Sequence, residues 1–547
     1  MVKMKKNLRN NPCFCGSGKK YKKCHGSPKN KTFSEPHIQD EINKKVKELE
    51  AIQKQREQQQ GLGKPMISTL FKGYRIVAVG SRILWSQNWK TFHDFLSYYI
   101  KFIFGSDWGN TEIKKPFDER HPVMQWYDIV CKYQRKYTEQ KGGIYSAPMI
   151  GAADAYYNLS YNLYLLAHNV KIQNRLVERL KDKHDFNGAF YETYVAAAFI
   201  KAGFDLDFEN EEDRSTSHCE FTATYKKTGN KYSVEAKSRR PGKDHAIVSN
   251  QLYNALKKKA NYIRVVFIDV NVPDNADDSQ SISWLKEALN SLRVKENSMT
   301  IDGSAAPPAY IFLTNQPFIY NLETADFRRA VLSEGYKIPD FKMGAQFASI
   351  RDVLRAREKH ADMEQLMTSI RTHYEIPVTF DGEIPEFAFG GSLQRLKVGH
   401  KYLVPTSDGK EVVGELTSAT VAEEKKLVYG AYQLEDGRSI IATCPLSDDE
   451  LLAYKKHSDT FFGVYHPVGK KIDDPMELFD FFYNGYRQTP KERLLEFMKD
   501  HPDYENLKHE SQEELAIIYC ERLVYSVMDS NKTVHRMADS HCNLPLL

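Results

Sequence analysis

The chain has 547 residues, 27% of them charged, and a net charge of only +5, so three or four domains are expected and no global field points to nucleic acid. Eight cysteines in so long a chain argue against a disulfide scaffold and favour a reducing compartment, which predicts a cytoplasmic protein. The mean hydropathy is −0.57 and no apolar run matches a membrane span, so no membrane partner is expected. The basic N-terminus lacks the apolar segment of a secretory signal.

Three cysteines and a histidine lie close together near the N-terminus. In residues 11–26, NPCFCGSGKKYKKCHG, one residue separates Cys13 from Cys15, and eight more precede Cys24 and His25. Three thiolates and an imidazole suit a tetrahedral structural Zn²⁺ site, which so short a segment needs in order to fold. The spacing resembles the SEC-C motif, named after the C-terminal zinc segment of the SecA translocation ATPase.

That resemblance implies a zinc knuckle in residues 1–35 that docks proteins. Its four closely spaced lysines also suit contact with nucleic acid. The alternative interpretation is that the thiols are reactive or incidental.

Two mostly helical regions are predicted next. Residues 36–65 predict a spacer helix and a hinge, because apolar residues recur at helical spacing before the glycine-rich residues 61–65. Residues 66–180 predict a helical domain rich in aromatic residues, with a strong helix at 152–170. Its tyrosine stripe is typical either of a surface that stacks bases or of a packed helical core, and we expect the core.

The stretch at residues 218–240 predicts a β-hairpin. Residues 219–226 and 231–238 both alternate apolar and polar side chains, and Thr228-Gly229-Asn230 provides a turn between them. A hairpin folded about Thr228 and Gly229 would pair Glu220 with Lys237 and residue 222 with Glu235.

Such a hairpin brings two carboxylates and a lysine to one side of the sheet. Glu235 and Lys237 share a face because side chains alternate along a strand, and Glu220 joins them through cross-strand pairing. Carboxylate oxygens suit Mg²⁺ or Mn²⁺. A lysine beside the metal can orient or deprotonate a water molecule.

These residues resemble the motif of the PD-(D/E)XK, or restriction-endonuclease-like, nuclease superfamily. Glu220 matches the first acid, usually aspartate in the family, and Glu235-Ala236-Lys237 matches the acidic-x-Lys triplet. The resemblance implies a mixed sheet flanked by helices, with Glu220 and Glu235 binding Mg²⁺ and Lys237 activating water.

The order of the predicted elements adds to this resemblance. A helix, three strands, a helix and further strands are expected at residues 185–203, 204–209, 219–226, 231–238, 246–260, 262–270 and 309–314. The family often places a further acid on the first helix, which here implies Glu192, and Gln251 on the second helix is expected to support the site. Residues 181–330 are therefore predicted to form a nuclease-like domain.

The remaining two fifths of the chain predict three smaller segments. Residues 331–390 are expected to form a helical connector and residues 471–547 a set of C-terminal helices. Between them, short alternating segments separated by turn residues predict a small antiparallel β module at 391–470, of a kind that often binds nucleic acid or protein. The whole is a multidomain α+β protein.

The sequence thus predicts a metal-dependent nuclease that hydrolyses nucleic acid, with DNA expected and restriction or anti-phage defence as the implied role. A homo-oligomer is compatible with this prediction. The alternative is a non-catalytic adaptor that binds nucleic acid or protein through the zinc knuckle, with an inactive nuclease fold as its platform. Metal bound at the hairpin would discriminate between the two.

Overall fold

The computed structural model describes residues 20, 23, 36–138, 140, 142–208, 219–242, 245–273, 283–347, 349–389, 395–406, 410–466 and 474–535. The chain divides into two compact units. The smaller unit combines Met1–Gln55 with Glu386–Val468, and the larger combines Arg56–Pro385 with Gly469–Leu547. The predicted ligands Cys13, Cys15, Cys24 and His25 lie outside the described residues.

The larger unit contains most of the helices and strands. Its strands are β1 (Ile67–Phe71), β2 (Tyr74–Val79), β3 (Arg82–Ser86), β4 (Phe204–Phe208), β5 (Phe221–Tyr225), β6 (Lys231–Ser238), β7 (Ile263–Asp269), β8 (Thr300–Ile301), β9 (Ser304–Ala305), β10 (Ala309–Asn315) and β11 (Ala330–Tyr336). The helix α1 (Pro36–Gln60) contributes residues to both units.

The other helices of the larger unit are α2 (Phe92–Phe104), α3 (Ser106–Glu112), α4 (Pro122–Tyr137), α5 (Gly151–Asn169), α6 (Asn174–Lys181), α7 (Phe186–Lys201), α8 (Ser249–Leu256), α9 (Ser283–Glu296), α10 (Ile350–Thr372), α13 (Pro475–Tyr486), α14 (Lys491–Phe497), α15 (Tyr504–Leu507) and α16 (Gln512–His535). The short α11 (Pro385–Phe389) begins at the last residue of this unit's first segment. Within the described residues, no helix is long and apolar enough to cross a membrane.

A six-stranded mixed sheet organises the larger unit, in the order β11-β10-β7-β6-β5-β4. Strands β4, β5 and β6 form an antiparallel meander, while β7 runs parallel to β6 and β10 runs parallel to β7. Helix α7 precedes this meander, and α8 lies between β6 and β7 along the chain. The element order is therefore the predicted one, with α8 shorter than expected.

Helices cover both faces of this sheet. Val234, Phe267 and Phe312 belong to a large core that includes α5 and α7, two helices buried almost all round. Val266 and Ile311 belong to a second core with α8 and α9. Since alternate side chains point to opposite faces, Glu235 and Lys237 lie on the α8 and α9 side.

The region expected to be mostly helical opens instead with a small antiparallel sheet, β1-β2-β3. Its first hairpin turns at Lys72 and Gly73, which both have positive φ, and its second turns at Gly80, also with positive φ. Two-residue turns of this kind match the twist of the paired strands. The helices that follow, α2, α4 and α5, agree with the predicted helical core.

The smaller unit contains the predicted β module. Strands β12 (Lys401–Pro405), β13 (Glu411–Ala422), β14 (Leu427–Leu434) and β15 (Ser439–Pro445) form one antiparallel sheet in chain order, followed by α12 (Asp448–His457). Val404, Leu416 and Tyr432 form its small core. The prediction of an antiparallel module is therefore confirmed.

Candidate active site

The β5–β6 hairpin has a different register from the predicted one. Phe221 pairs with Val234 and Ala223 with Tyr232. The backbone NH of Glu220 donates to the carbonyl oxygen of Val234 at 2.9 Å. Glu220 therefore lies beside Glu235, two residues from the predicted partner Lys237. A shift of two residues leaves every side chain on its expected face, so the three residues still converge.

Lys237 bridges the two carboxylates of this cluster. Its Nζ donates a short hydrogen bond to Oε1 of Glu235 and lies 3.9 Å from Oε1 of Glu220. The side chain of Glu235 is only 1% exposed, whereas those of Glu220 and Lys237 are 20% and 25% exposed. The cluster therefore has a buried end at Glu235 and an accessible end at Glu220 and Lys237.

The buried end of the cluster holds the carboxyl group of Glu235, whose negative charge is poorly compensated by its surroundings. Burial, together with the neighbouring charge of Glu220, raises the pKa of Glu235 to about 7, although Lys237 and Lys258 act to lower it. Its second oxygen, Oε2, is buried and has no hydrogen-bond partner among the described residues. Near neutral pH this carboxyl group is therefore close to half-protonated, with one oxygen free to accept another ligand.

The pKa of Lys237 is raised as well, which favours the charged form of the lysine. Burial alone would lower the pKa of Lys237, but the carboxylates of Glu235, Glu220 and Glu192 together raise it above its usual value. Lys237 is therefore a firmly protonated ammonium group in this arrangement.

The two other predicted site residues stand apart from the cluster. Glu192 on α7 is buried and forms an ion pair with Arg179 of α6, with Nη1 and Oε2 2.8 Å apart. Its charge reaches Lys237, but it forms its ion pair with Arg179 on a separate helix. Gln251 lies in the first turn of α8, partly buried, and within the described chain it makes no hydrogen bond to Glu220, Glu235 or Lys237.

Mg²⁺ or Mn²⁺ requires oxygen ligands, which Glu220 and Glu235 provide. Among the described residues, no group of three or more His, Cys, Asp or Glu side chains is placed to hold a metal ion. Glu220 and Glu235 remain as a pair. Mg²⁺ is commonly held by one or two carboxylates, with water and substrate phosphate completing its octahedron. The unpartnered Oε2 of Glu235, and its pKa raised by burial and by the charge of Glu220, fit a site that accepts a cation.

One residue important for this hairpin was not found from the sequence. Oδ2 of Asp362, buried on α10, accepts hydrogen bonds from the Tyr232 hydroxyl at 2.8 Å and from the side chains of Thr228 and Asn230 at 3.0 Å each. These bonds fix the turn from which Glu235 and Lys237 follow. The partners are at least 130 residues apart in sequence, so no local pattern signals them.

The basic residues near the site are not all available to a ligand. Arg239 directly follows β6, but it is buried and donates to the backbone oxygens of His245 and Val270. Lys258 is accessible, and its charge reaches Glu235. A local positive field for phosphate therefore depends on Lys237 and Lys258 more than on Arg239.

The free thiol beside the site is not a nucleophile. Cys219 is buried, its Sγ donates to the Lys259 carbonyl oxygen at 3.5 Å, and burial raises the pKa of the thiol to about 12. Cys219 is therefore held in the thiol form, whereas the thiolate is the reactive form of cysteine.

Residues 9–27 match the SEC-C motif. The match includes all four predicted zinc ligands and confirms the resemblance seen in the sequence; it covers a short N-terminal part of the chain. No curated protein and no solved structure is significantly similar to the chain. The resemblance of residues 181–320 to PD-(D/E)XK nucleases stays a prediction.

Proposed function

We propose that the larger unit is a metal-dependent nuclease of the PD-(D/E)XK type, with DNA as the expected substrate. The observation that carries the proposal is the state of Glu235. This carboxyl group is buried on a central strand, beside a second carboxylate and a lysine, with a pKa of about 7 and one free oxygen. Active sites are where such perturbed groups cluster.

The element order supports the same proposal. Helix α7, the meander β4-β5-β6, helix α8 and strand β7 parallel to β6 follow the arrangement expected for this nuclease core. Glu220 directly precedes β5 and Glu235 lies on the neighbouring strand β6, close to the positions that the motif requires. Restriction or anti-phage defence is the role we associate with such an activity.

Glu220 and Glu235 would hold the metal ion. When bound, Mg²⁺ or Mn²⁺ supplies a Lewis acid that lowers the pKa of water and neutralises charge on the scissile phosphate. Glu235 would bind the metal ion as a carboxylate and would therefore lose its proton. Near neutral pH only part of the Glu235 population carries that proton. Its burial excludes bulk water from the inner side of the site.

Lys237 has its own part in the mechanism. Because the surrounding carboxylates favour its protonated form, Lys237 donates hydrogen bonds to the attacking water or to a phosphate oxygen. Removal of a proton from water by Lys237 would first require loss of its own proton, which those carboxylates oppose. Positioning and charge compensation are therefore the roles that we assign to it.

Cys13, Cys15, Cys24 and His25 would hold a structural Zn²⁺ in the SEC-C motif. Three thiolates and one imidazole complete a tetrahedral shell and leave no open position for catalysis. We assign the knuckle to docking with nucleic acid or with a protein partner.

A cleavage assay tests the nuclease proposal. The full chain is incubated with Mg²⁺ or Mn²⁺ and with single-stranded DNA, duplex DNA or RNA, beside Glu235→Gln and the matched control Glu424→Gln. Glu424 belongs to an exposed acidic-x-Lys triplet of the smaller unit. We expect metal-dependent cleavage that Glu235→Gln abolishes and Glu424→Gln leaves intact. Absence of cleavage by the wild-type chain, with binding retained, would support the adaptor instead.

A further inference from the structure

A small cavity lies at the carboxyl ends of three neighbouring parallel strands of the large sheet. Ser238 is the last residue of β6, Asp269 is the last residue of β7, and Gln316 directly follows β10. These three residues line the cavity, and the strand register pairs Asp269 with Ser238. Sheets with parallel strands commonly bind their ligands at this edge. We call this space the strand-end cavity.

The strand-end cavity is separate from the candidate active site. Asp269 follows Phe267 by two residues on β7, so both side chains point to the face of the sheet that packs in the large core with α7. Tyr191 of α7 also lines the cavity. Glu235 and Lys237 lie on the opposite face. A ligand in the strand-end cavity therefore does not occupy the proposed metal site.

Aromatic side chains form the walls of the strand-end cavity. Trp126 of α4, Phe190 of α7 and Phe318 after β10 line it, and all three are buried. Their ring centres lie 5.6 to 5.8 Å apart in edge-to-face contacts, so the rings hold one another in place. The cavity has a volume of about 100 Å³ and opens beside the exposed Asn187. Since a closed cavity of about 150 Å³ accommodates benzene, this smaller, open one admits a single ring and is too small for a two-ring purine.

Two polar side chains of the strand-end cavity have hydrogen-bonding capacity to spare. Nε2 of Gln316 is buried and has no hydrogen-bond partner among the described residues, a costly state that an acceptor on a ligand would relieve. Asp269 is buried, and its Oδ1 accepts a hydrogen bond from the Thr314 hydroxyl at 3.3 Å. Burial raises the pKa of Asp269 to about 7, although hydrogen bonds from Thr314 and from the backbone NH of Gln316 lower it. Near neutral pH this carboxyl group can therefore accept a hydrogen bond or donate one.

These groups select the class of ligand. Gln316 offers a donor, and Asp269 offers a carboxyl group that accepts from an N–H group. The complementary ligand is a flat ring with an acceptor and an N–H group side by side on one edge. Cytosine has such an edge in its amino group and ring nitrogen, and uracil and thymine have it in their imide N–H and carbonyl oxygen. A purely apolar ring would leave both protein groups unpaired.

We propose that the strand-end cavity binds the ring of a pyrimidine base, whose polar edge pairs with Gln316 and Asp269 between the aromatic walls. A free nucleoside presents this ring directly. A nucleic acid presents the same ring when a base leaves the stack, which costs least where that base is unpaired. Binding in the cavity requires neither a metal ion nor cleavage, so this proposal does not rest on the nuclease activity.

Isothermal titration calorimetry of the full chain with cytidine, uridine and adenosine, without Mg²⁺ or Mn²⁺, tests the proposal. The pyrimidine nucleosides are expected to bind and adenosine is not. Gln316→Leu and Asp269→Asn should each weaken binding about tenfold, because each removes one hydrogen bond to the ring. Gln316→Leu also removes an unpaired buried donor, so it should fold like wild type, as thermal denaturation will show. The matched control is Asp205→Asn, at an exposed aspartate of the same sheet.

A DNA duplex with one bulged cytosine, compared with the fully paired duplex, separates the two sources of the ring. Tighter binding of the bulged duplex that Gln316→Leu abolishes would assign the cavity to a base of a nucleic acid. Binding of the nucleosides with equal affinity for the two duplexes would assign it to a free nucleoside.

Three results overturn the proposal. The first is no binding of cytidine or uridine together with equal affinity for the bulged and paired duplexes. The second is unchanged binding in folded Gln316→Leu and Asp269→Asn. The third is tighter binding of adenosine, or of the single-ring amide nicotinamide, than of either pyrimidine nucleoside. Glu235→Gln should bind cytidine like wild type, so failure of the nuclease proposal is distinguishable from failure of this one.

Discussion

Two acidic-x-Lys triplets of the chain have the same residue types and different surroundings. Glu235 and Lys237 lie on the central strand β6, where Glu235 is buried beside Glu220 and bonded to Lys237. Glu424 and Lys426 lie in an exposed turn between β13 and β14, where Lys426 has positive φ and pairs with Asp448. Burial and a second acid, rather than the triplet itself, give Glu235 a perturbed pKa and a free oxygen.

The largest effect expected from this contrast is on catalysis. Lys237→Ala removes the group that positions water or phosphate and is predicted to lower the cleavage rate by about a hundred- to ten-thousand-fold. Lys425→Ala, at an exposed lysine of the other turn, should leave the rate unchanged. Steady-state rates measured with Mg²⁺ compare the two. Equal rates in both variants would remove any special role for the buried triplet.

The next effect is on stability as pH changes. The pKa of Glu235 is raised from 4.5 to about 7 in the folded chain, so the folded state holds a proton that the unfolded state has lost. The contribution of Glu235 to the free energy of unfolding is fully present below pH 4.5. It declines as pH rises to 7, by up to about 3 kcal/mol. Glu235→Gln lacks this decline.

Urea denaturation at pH 5 and pH 8 measures the difference. The free energy of unfolding of Glu235→Gln minus that of wild type should be larger at pH 8 than at pH 5. For Glu424→Gln this difference should be the same at both pH values. The same pH dependence in wild type and Glu235→Gln would show that the carboxyl group is not perturbed.

A smaller effect is expected where the hairpin is anchored. Asp362→Ala leaves three donors without their acceptor, among them the hydroxyl of the buried Tyr232, and is predicted to cost about 2 kcal/mol. Activity should fall as well, because the turn before Glu235 and Lys237 loses its support. Glu358→Ala, on an exposed position of the same helix, is the control. Thermal denaturation of both variants checks the prediction.

Hydrophobic alternation was enough to predict the hairpin and the side of the sheet on which its charged residues meet. The register could not be predicted, since the backbone NH of Tyr225 donates to the carbonyl oxygen of Asn230 around a four-residue turn, in place of the tighter turn assumed at Thr228-Gly229. The ion pair of Glu192 with Arg179 could not be predicted either, because Arg179 lies on a separate helix.

The sheet at β1–β3 was missed although local signals for it exist. Lys72-Gly73 and Gly80-Ser81 each separate runs of β-branched and apolar residues, which is the pattern of two-residue hairpins. The abundance of aromatic residues favoured a helical interpretation instead. Asp362 carried no signal at all, since tertiary packing alone brings it to the hairpin.

The smallest effect on the body of the protein is expected from the zinc knuckle. Cys13→Ser with Cys15→Ser should release zinc, measured by a chromogenic chelator, and change the main thermal transition by less than about one degree. So short a segment buries too little apolar surface to stabilise the cores of the two units. Loss of cleavage on every substrate in a folded double variant would place zinc in the active site.

The most direct test of the central claim is calorimetric titration of the full, zinc-loaded chain with Mn²⁺ in buffers of different ionisation enthalpy. If Glu220 and Glu235 hold the metal, binding must expel the proton of Glu235. With a pKa of about 7, about half a proton should be released per Mn²⁺ at pH 7, nearly one at pH 6 and almost none at pH 8.5. Glu235→Gln should abolish both binding and release. Mn²⁺ binding without proton release, or binding that survives Glu235→Gln, would contradict the account.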